Sequence, residues 1–419
     1  MKVSKVLFAA GLLIYGFTDP GWAQRSSCEE CHGRAKVDFR RSIHKERGMA
    51  CVDCHGGDPL DMTRSSMSKD KGFLGKINKK DVPYLCAKCH SDVELMLQYG
   101  EYIDEFAVYR HSQHGKILYK KGDTKVAVCT DCHSAHDIKK AEDPESWVYP
   151  FNVPTTCARC HSDKNLMQDY GIPTDQYEKY KESIHGKLRL EKKDLRAPGC
   201  PDCHGVHGAT PPGVDEVHSV CGKCHFPQRN YFQESPHFEA MKDKKINECA
   251  SCHGSHGIEA PTYELFTSGK KEEGSGCGGC HSPDSREYLL GVRIKNDLLE
   301  AEKSFEKASL FIETARLKGF EVDEERIKLK EAKAKITEVL PITHSVSIPL
   351  VEQYITTAKA GAEDVKELVN AKIVEWKDRR VMFVINIFIF LFVVILLIIK
   401  RKRIMPKSNP PTPPMAGKL

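Results

Sequence analysis

Residues 183–207 contain Ser183-Ile184-His185-Gly186, a short spacer, and then Cys200-Pro201-Asp202-Cys203-His204-Gly205-Val206-His207. Two cysteines separated by two residues and followed at once by histidine form the attachment signal of c-type haem. The thiols make thioethers to the porphyrin, and the adjacent imidazole binds iron from one face. The pentapeptide recurs along the chain as Cys28-Glu-Glu-Cys31-His32, Cys51-Val-Asp-Cys54-His55, Cys86-Ala-Lys-Cys89-His90, Cys129-Thr-Asp-Cys132-His133 and Cys157-Ala-Arg-Cys160-His161. After Cys200 come Cys221-Gly-Lys-Cys224-His225, Cys249-Ala-Ser-Cys252-His253 and Cys277-Gly-Gly-Cys280-His281. All 18 cysteines are used. Neither a zinc knuckle nor a disulfide framework needs histidine after every second cysteine. The sequence therefore predicts nine covalently bound haems, each with iron.

The motifs alternate in type. Those at Cys51, Cys129, Cys200 and Cys249 are preceded by a histidine in a Ser-x-His-like context, His44, His114, His185 and His237. Three of them carry a further histidine three residues beyond the motif: His136, His207 and His256. The motifs at Cys28, Cys86, Cys157, Cys221 and Cys277 lack that downstream histidine. The segments beginning at Cys86 and Cys157 align at a constant offset that also matches Cys129 with Cys200, His114 with His185, His136 with His207 and Tyr99 with Tyr170. The repeating unit is thus a pair of haems, and a chain of such pairs is a one-dimensional array.

The 19 histidines leave ten outside the motifs, close to the number of sixth ligands that nine irons need. His44, His114, His185 and His237 are expected ligands. His136, His207 and His256 either ligate iron or hydrogen-bond a propionate. His111 and His218 carry no decisive context, and His344 stands alone in Thr343-His344-Ser345, either as a solvent-facing loop residue or as the ligand that caps a terminal haem. Met96 and Met167 either ligate or pack on a ring. Iron closed on both faces by imidazole moves electrons and does little chemistry.

Composition divides the rest. Lys2 and Lys5, the apolar run from Val6 to Phe17 and Gly21-Trp22-Ala23 read as a secretory signal peptide over 1–23, which makes the mature chain extracytoplasmic. Residues 24–283 hold every motif, with so little peptide per haem that porphyrins must form much of the interior. Loops and short helices are expected there. Residues 284–380 lack cysteine and place Ile294, Leu298, Ala301, Phe305, Ala308, Ile312 and Ala315 at helical spacing. Leu329, Ala332, Ile336 and Val339 resume it, and Val351, Tyr354, Ala358, Gly361, Val365 and Leu368 continue after the break at 341–349. This predicts a helical hairpin, either a plain stalk or a cover for the last haems.

Val381 to Ile399 is apolar apart from Asn386 and, at about 1.5 Å per residue, long enough for one transmembrane helix. Lys400-Arg401-Lys402-Arg403 then marks the cytoplasmic side, with 400–419 as a short proline-rich tail. The formal net charge of +5 is not a nucleic-acid signal: residues 1–23 carry +1 and 400–419 carry +6, which leaves −2 for 24–399.

The nine motifs, the Ser-x-His-Gly element with Cys-x-x-Cys-His-Gly-x-His at 183–207, and a helical segment after the last motif make the chain resemble the bacterial multihaem c-type cytochromes. That broad group includes octahaem hydroxylamine oxidoreductases, tetrathionate reductases and pentahaem nitrite reductases. The resemblance implies a mainly α and irregular fold with little secondary structure around stacked haems. No motif here ends in lysine, the signature of nitrite reductases, and nothing local singles out Tyr288 or Tyr354 as the tyrosine that hydroxylamine oxidoreductases tie to their catalytic haem. The expected role is a membrane-anchored relay of electrons between a quinol-oxidising membrane partner and a periplasmic reductase or outer-membrane cytochromes. The alternative is an oxidoreductase whose open haem acts on a small nitrogen or sulfur compound.

Overall fold

A computed structural model describes residues 26–210, 220–244, 246–269 and 274–404. The leader read at 1–23, His218 and the tail from Pro406 lie outside the described residues. Among the described residues there is no strand. The chain divides into two compact units, Met1–Val220 with Ser255–Ala260, and Cys221–Gly254 with Pro261–Leu419.

In the first unit no described helix exceeds nine residues, the length of Val82–His90 and Val153–His161. Both of these carry proline in the first turn, where its missing N–H costs nothing. Helices this short do not hold themselves together in water, so tertiary ties must fix them. The largest apolar cluster in this unit is small: Tyr109, Ile117, Leu118, Val126 and Val128. The internal repeat survives as one hydrogen bond made twice. The Tyr109 hydroxyl donates to the Ala127 carbonyl at 2.9 Å, and the Tyr180 hydroxyl donates to the Pro198 carbonyl at 2.9 Å.

The second unit adds three long helices to its short ones. Ser285 caps the first, Arg286–Leu317, by accepting from the Tyr288 N–H at 3.2 Å. Gly319, at φ +86°, ends it, with the Phe320 N–H returning to the Ala315 carbonyl at 3.1 Å. The second, Asp323–Ile342, opens on Asp323, Glu324 and Glu325, whose charges suit the positive end of the helix. The third runs unbroken over 57 residues, Ile348–Ile404, about 85 Å at the α-helical rise.

Every residue expected on the inner row of the first helix is buried there, from Ile294 to Ala315. The third helix differs from the sequence reading. Its inner row is Val351, Ile355, Ala358, Ala362, Val365 and Val369, while Leu368 faces outward. A period of 3.6 residues allows either the three-then-four or the four-then-three step, and size decides between them. Gly361 lies so close to the second helix that a Cβ there would come within 2.8 Å of the Ala332 methyl carbon. Beyond residue 380 the same helix buries nothing: its most apolar window has a mean hydropathy of 3.4 and no burial against protein. It is the one helix among the described residues long and apolar enough to cross a membrane.

Candidate functional site

The histidines meet in pairs. In the first unit the ring centres of His44 and His90 lie 6.0 Å apart, His55 and His136 6.2 Å, and His114 and His161 6.2 Å. His133 and His207 are 6.2 Å apart, and His204 and His256 6.0 Å. In the second unit His237 and His281 are separated by 6.1 Å, and His253 and His344 by 6.1 Å. Stacked rings would sit closer, and a direct N–H···N bond would put the ring centres only about 5 Å apart. An imidazole nitrogen lies about 2 Å from a first-row metal it ligates and about 1.1 Å from its own ring centre, so two rings on opposite sides of one ion have centres about 6.2 Å apart. The spacing of all seven pairs is that of a metal ion held between them.

The pairs fall into two registers. His44, His114 and His237 each face the motif histidine next but one downstream, with ring planes at 59°, 51° and 49°. His136, His207 and His256 each face a motif histidine that precedes them in the chain, and His344 does the same with His253. These planes lie at 31°, 21°, 15° and 23°.

Local sequence sets each ligand. Ser42, Ser112, Ser183 and Ser235 are all nearly or fully buried. Ser112 accepts from the Gly115 N–H at 3.0 Å and donates to the Tyr109 carbonyl at 2.6 Å, and Ser183 does the same with Gly186 and Tyr180 at the same distances. A Cβ at Gly115 or Gly186 would run into the Tyr109 or Tyr180 carbonyl, so the glycine of Ser-x-His-Gly lets the ligand's turn lie flat on the preceding helix. At the motifs, Asp53, Asp131 and Asp202 accept from the N–H of Ala50, Val128 and Gly199 at 2.7, 2.8 and 2.6 Å. The next residue after each of these motifs, and after the Cys249 motif, has positive φ: Gly56, Ser134, Gly205 and Gly254. That positive φ turns the chain sharply as it leaves the motif. Ile43 N–H donates to the Ile138 carbonyl and Ile184 N–H to the Ile258 carbonyl, both at 2.8 Å, two residues beyond His136 and His256.

Residues 43–162, which span four of the attachment motifs, match the family model of cytochrome c3. The chain is a multihaem c-type cytochrome. No curated protein and no solved structure matches it. In this cytochrome the paired cysteines hold c-type haem covalently, and the seven facing imidazole pairs have the geometry that such iron requires.

Burial keeps these imidazoles in their neutral, metal-binding form. Loss of hydration pushes His44, His55, His114, His133, His237 and His253 below their ordinary values, with the facing ring as the second cause; His114 and His133 fall to about 4. His344 is lowered by burial too, and its Nδ1–H donates to the Pro341 carbonyl at 3.1 Å, which leaves Nε2 to face His253. His204 is held alike, Nδ1–H donating to the Thr210 carbonyl at 3.0 Å.

His185 stands on its Ser183-capped turn as His114 does on that of Ser112. His111 is exposed and faces no other ring among the described residues. Met96 and Met167 are buried. Tyr288 donates to the Thr267 carbonyl at 3.2 Å. The sequence reading named the histidines but left the capping serines and aspartates without a role; their recurrence as Ser-x-His-Gly and Cys-x-Asp-Cys-His was the available signal.

The attachment sites follow one another in chain order within each unit. Cys28 lies near Cys51, Cys54 near Cys86, Cys86 meets Cys129, Cys132 lies near Cys157, and Cys157 meets Cys200. In the second unit Cys221 meets Cys249, and Cys252 lies near Cys277. Consecutive haems are therefore joined to neighbouring sulfurs.

Proposed function

We propose that this cytochrome carries nine haems and relays electrons along them from a quinol-oxidising partner in the membrane to a periplasmic reductase or outer-membrane cytochromes. The observation that supports the reading best is the ordered succession of cysteine contacts combined with seven facing imidazole pairs. Bound haem supplies one-electron chemistry. The protein's own residues do the rest. At the seven facing pairs, histidines on both faces would exclude substrate from the iron, capped turns hold the rings so that little moves when the charge changes, and neighbouring cysteines would hold successive haems close together.

The helix ending at Ile404 anchors the protein, with 381–399 in the bilayer, Lys400 to Arg403 on the cytoplasmic side and the haem-bearing residues on the outer side. Trp376, over which the Arg380 guanidinium stacks at 4.3 Å, suits the interfacial belt just outside it.

Two measurements test this. Pyridine haemochrome analysis should find nine haems per chain, and far fewer would refute the count. Chain ending before Val381 should appear as soluble red protein in the periplasmic fraction; retention in the membrane pellet would refute the anchor, and a red cytoplasmic fraction the orientation.

A further inference from the structure

One motif histidine stands apart. The His32 ring is exposed and, among the described residues, no histidine faces it at the spacing that the seven pairs share. Its neighbour His136 lines the same cavity of about 460 Å³, but that ring is already turned to His55. Residues 1–31 contain no histidine. The three tilted pairs all take their second ring from upstream of the motif they serve, and by that register His185 also addresses a motif downstream of itself, not His32.

The other side chains around this cavity are informative. Cys31, Gly33, Arg34, Ala35 and Asp38 complete its lining. Asp38 is paired with Arg41 at 3.3 Å and Lys36 with Glu30 at 3.6 Å, whereas Arg34 pairs with no carboxylate among the described residues. Asp38 is neutralised by Arg41, and Arg34 adds a guanidinium to a cavity in which no second imidazole faces His32 among the described residues, a combination that suits a small anion.

We propose that the haem held by Cys28, Cys31 and His32 keeps an open sixth position and binds a small anionic ligand of the cyanide or nitrite class, with Arg34 selecting for the negative charge. This rests on the multihaem reading above and gives the electron relay one end at which chemistry takes place.

Electron paramagnetic resonance and magnetic circular dichroism of the full-length protein, with its haem count fixed independently at nine, should show one high-spin ferric haem beside eight low-spin ones. Carbon monoxide should bind the reduced protein rapidly at one site per chain, and cyanide the oxidised protein likewise. Cys28→Ala/Cys31→Ala should lose one haem together with the high-spin signal and the rapid carbon monoxide phase. Cys221→Ala/Cys224→Ala should lose one haem but keep both. Arg34→Ala should weaken nitrite and cyanide binding about tenfold and leave carbon monoxide binding unchanged. Nine low-spin haems in the intact protein, or a methionine–iron charge-transfer band, would overturn the proposal even if neither double variant folds. Rapid carbon monoxide binding that survives loss of the first haem would do so as well. Unchanged anion affinity in Arg34→Ala would overturn the role of that residue. A haem count well below nine would instead overturn the underlying reading.

Discussion

Ser112→Ala tests whether the capped turn, rather than general packing, holds His114 in place. The serine is 2 % exposed and its hydroxyl serves two backbone groups, accepting from Gly115 at 3.0 Å and donating to Tyr109 at 2.6 Å. Loss of the N-cap acceptor costs about 1 kcal/mol. Leaving a buried N–H and carbonyl without that partner adds about 1–2 kcal/mol. The sum, about 2–3 kcal/mol, falls on the short turn that carries His114, and at about 1.4 kcal/mol per factor of ten it raises the fraction of time His114 is detached by roughly 30- to 150-fold. Carbon monoxide reaches six-coordinate iron only when a ligand leaves, so the slow carbon monoxide phase of one haem in the reduced protein should accelerate by that factor. The assay is stopped-flow mixing of dithionite-reduced protein with carbon monoxide, with Ser146→Ala as a control, a buried serine whose hydroxyl bonds Lys139 and Val148 and caps no histidine-bearing turn. A variant with lowered thermal stability but unchanged slow phases would refute the argument, because the hydroxyl would then support the fold without gating the ligand.

Three further outcomes are expected. His344→Ala should convert one low-spin haem to high spin and add one rapid carbon monoxide site per chain, read by magnetic circular dichroism; an unchanged spin inventory would leave His344 as a structural residue only. The ring-plane angles predict two low-spin families in the paramagnetic resonance spectrum, a strongly anisotropic one from the pairs at 49–59° and a rhombic one from those at 15–31°, and a single homogeneous family would contradict them. Lys372→Met should destabilise the helical bundle by about 3–5 kcal/mol, since Glu325, 1 % exposed, would keep a buried charge without its 2.7 Å partner; Glu325→Gln/Lys372→Met should recover much of that loss in chemical denaturation.

How much of this was legible from the chain depends on the range of the cause. Haem attachment is written in five consecutive residues, and the inner rows of the first two long helices in a period of three and four, so both read directly. The pairing of histidines did not, because which ring crosses to which iron is set by the positive-φ reversals at Gly56, Ser134, Gly205 and Gly254, tens of residues from the partner. The near match between ten spare histidines and nine irons suggested closure of every site, yet His111 is exposed and faces no ring among the described residues. On the third helix the expected row holds at Gly361, which lies against Ala332, but by the next two turns Val369 is buried in place of Leu368; which of two adjacent residues turns inward is a property of the helices together.

The two registers of pairing also explain why the ends of the array differ. In one, a histidine serves a motif that follows it; in the other, a histidine serves a motif that precedes it. Within the first unit the facing histidines thereby tie each motif pair to its neighbours. An array built this way must run out of ligands at each end, in opposite registers. At the far end the backward series would leave His253 without a partner, and the break between the second and third long helices supplies His344, its Nδ1 fixed by the Pro341 carbonyl. At the near end the forward series leaves His32, and there the chain offers Arg34 in place of an imidazole. On that reading the helical bundle would hold a terminal ligand, His344, as well as forming a stalk.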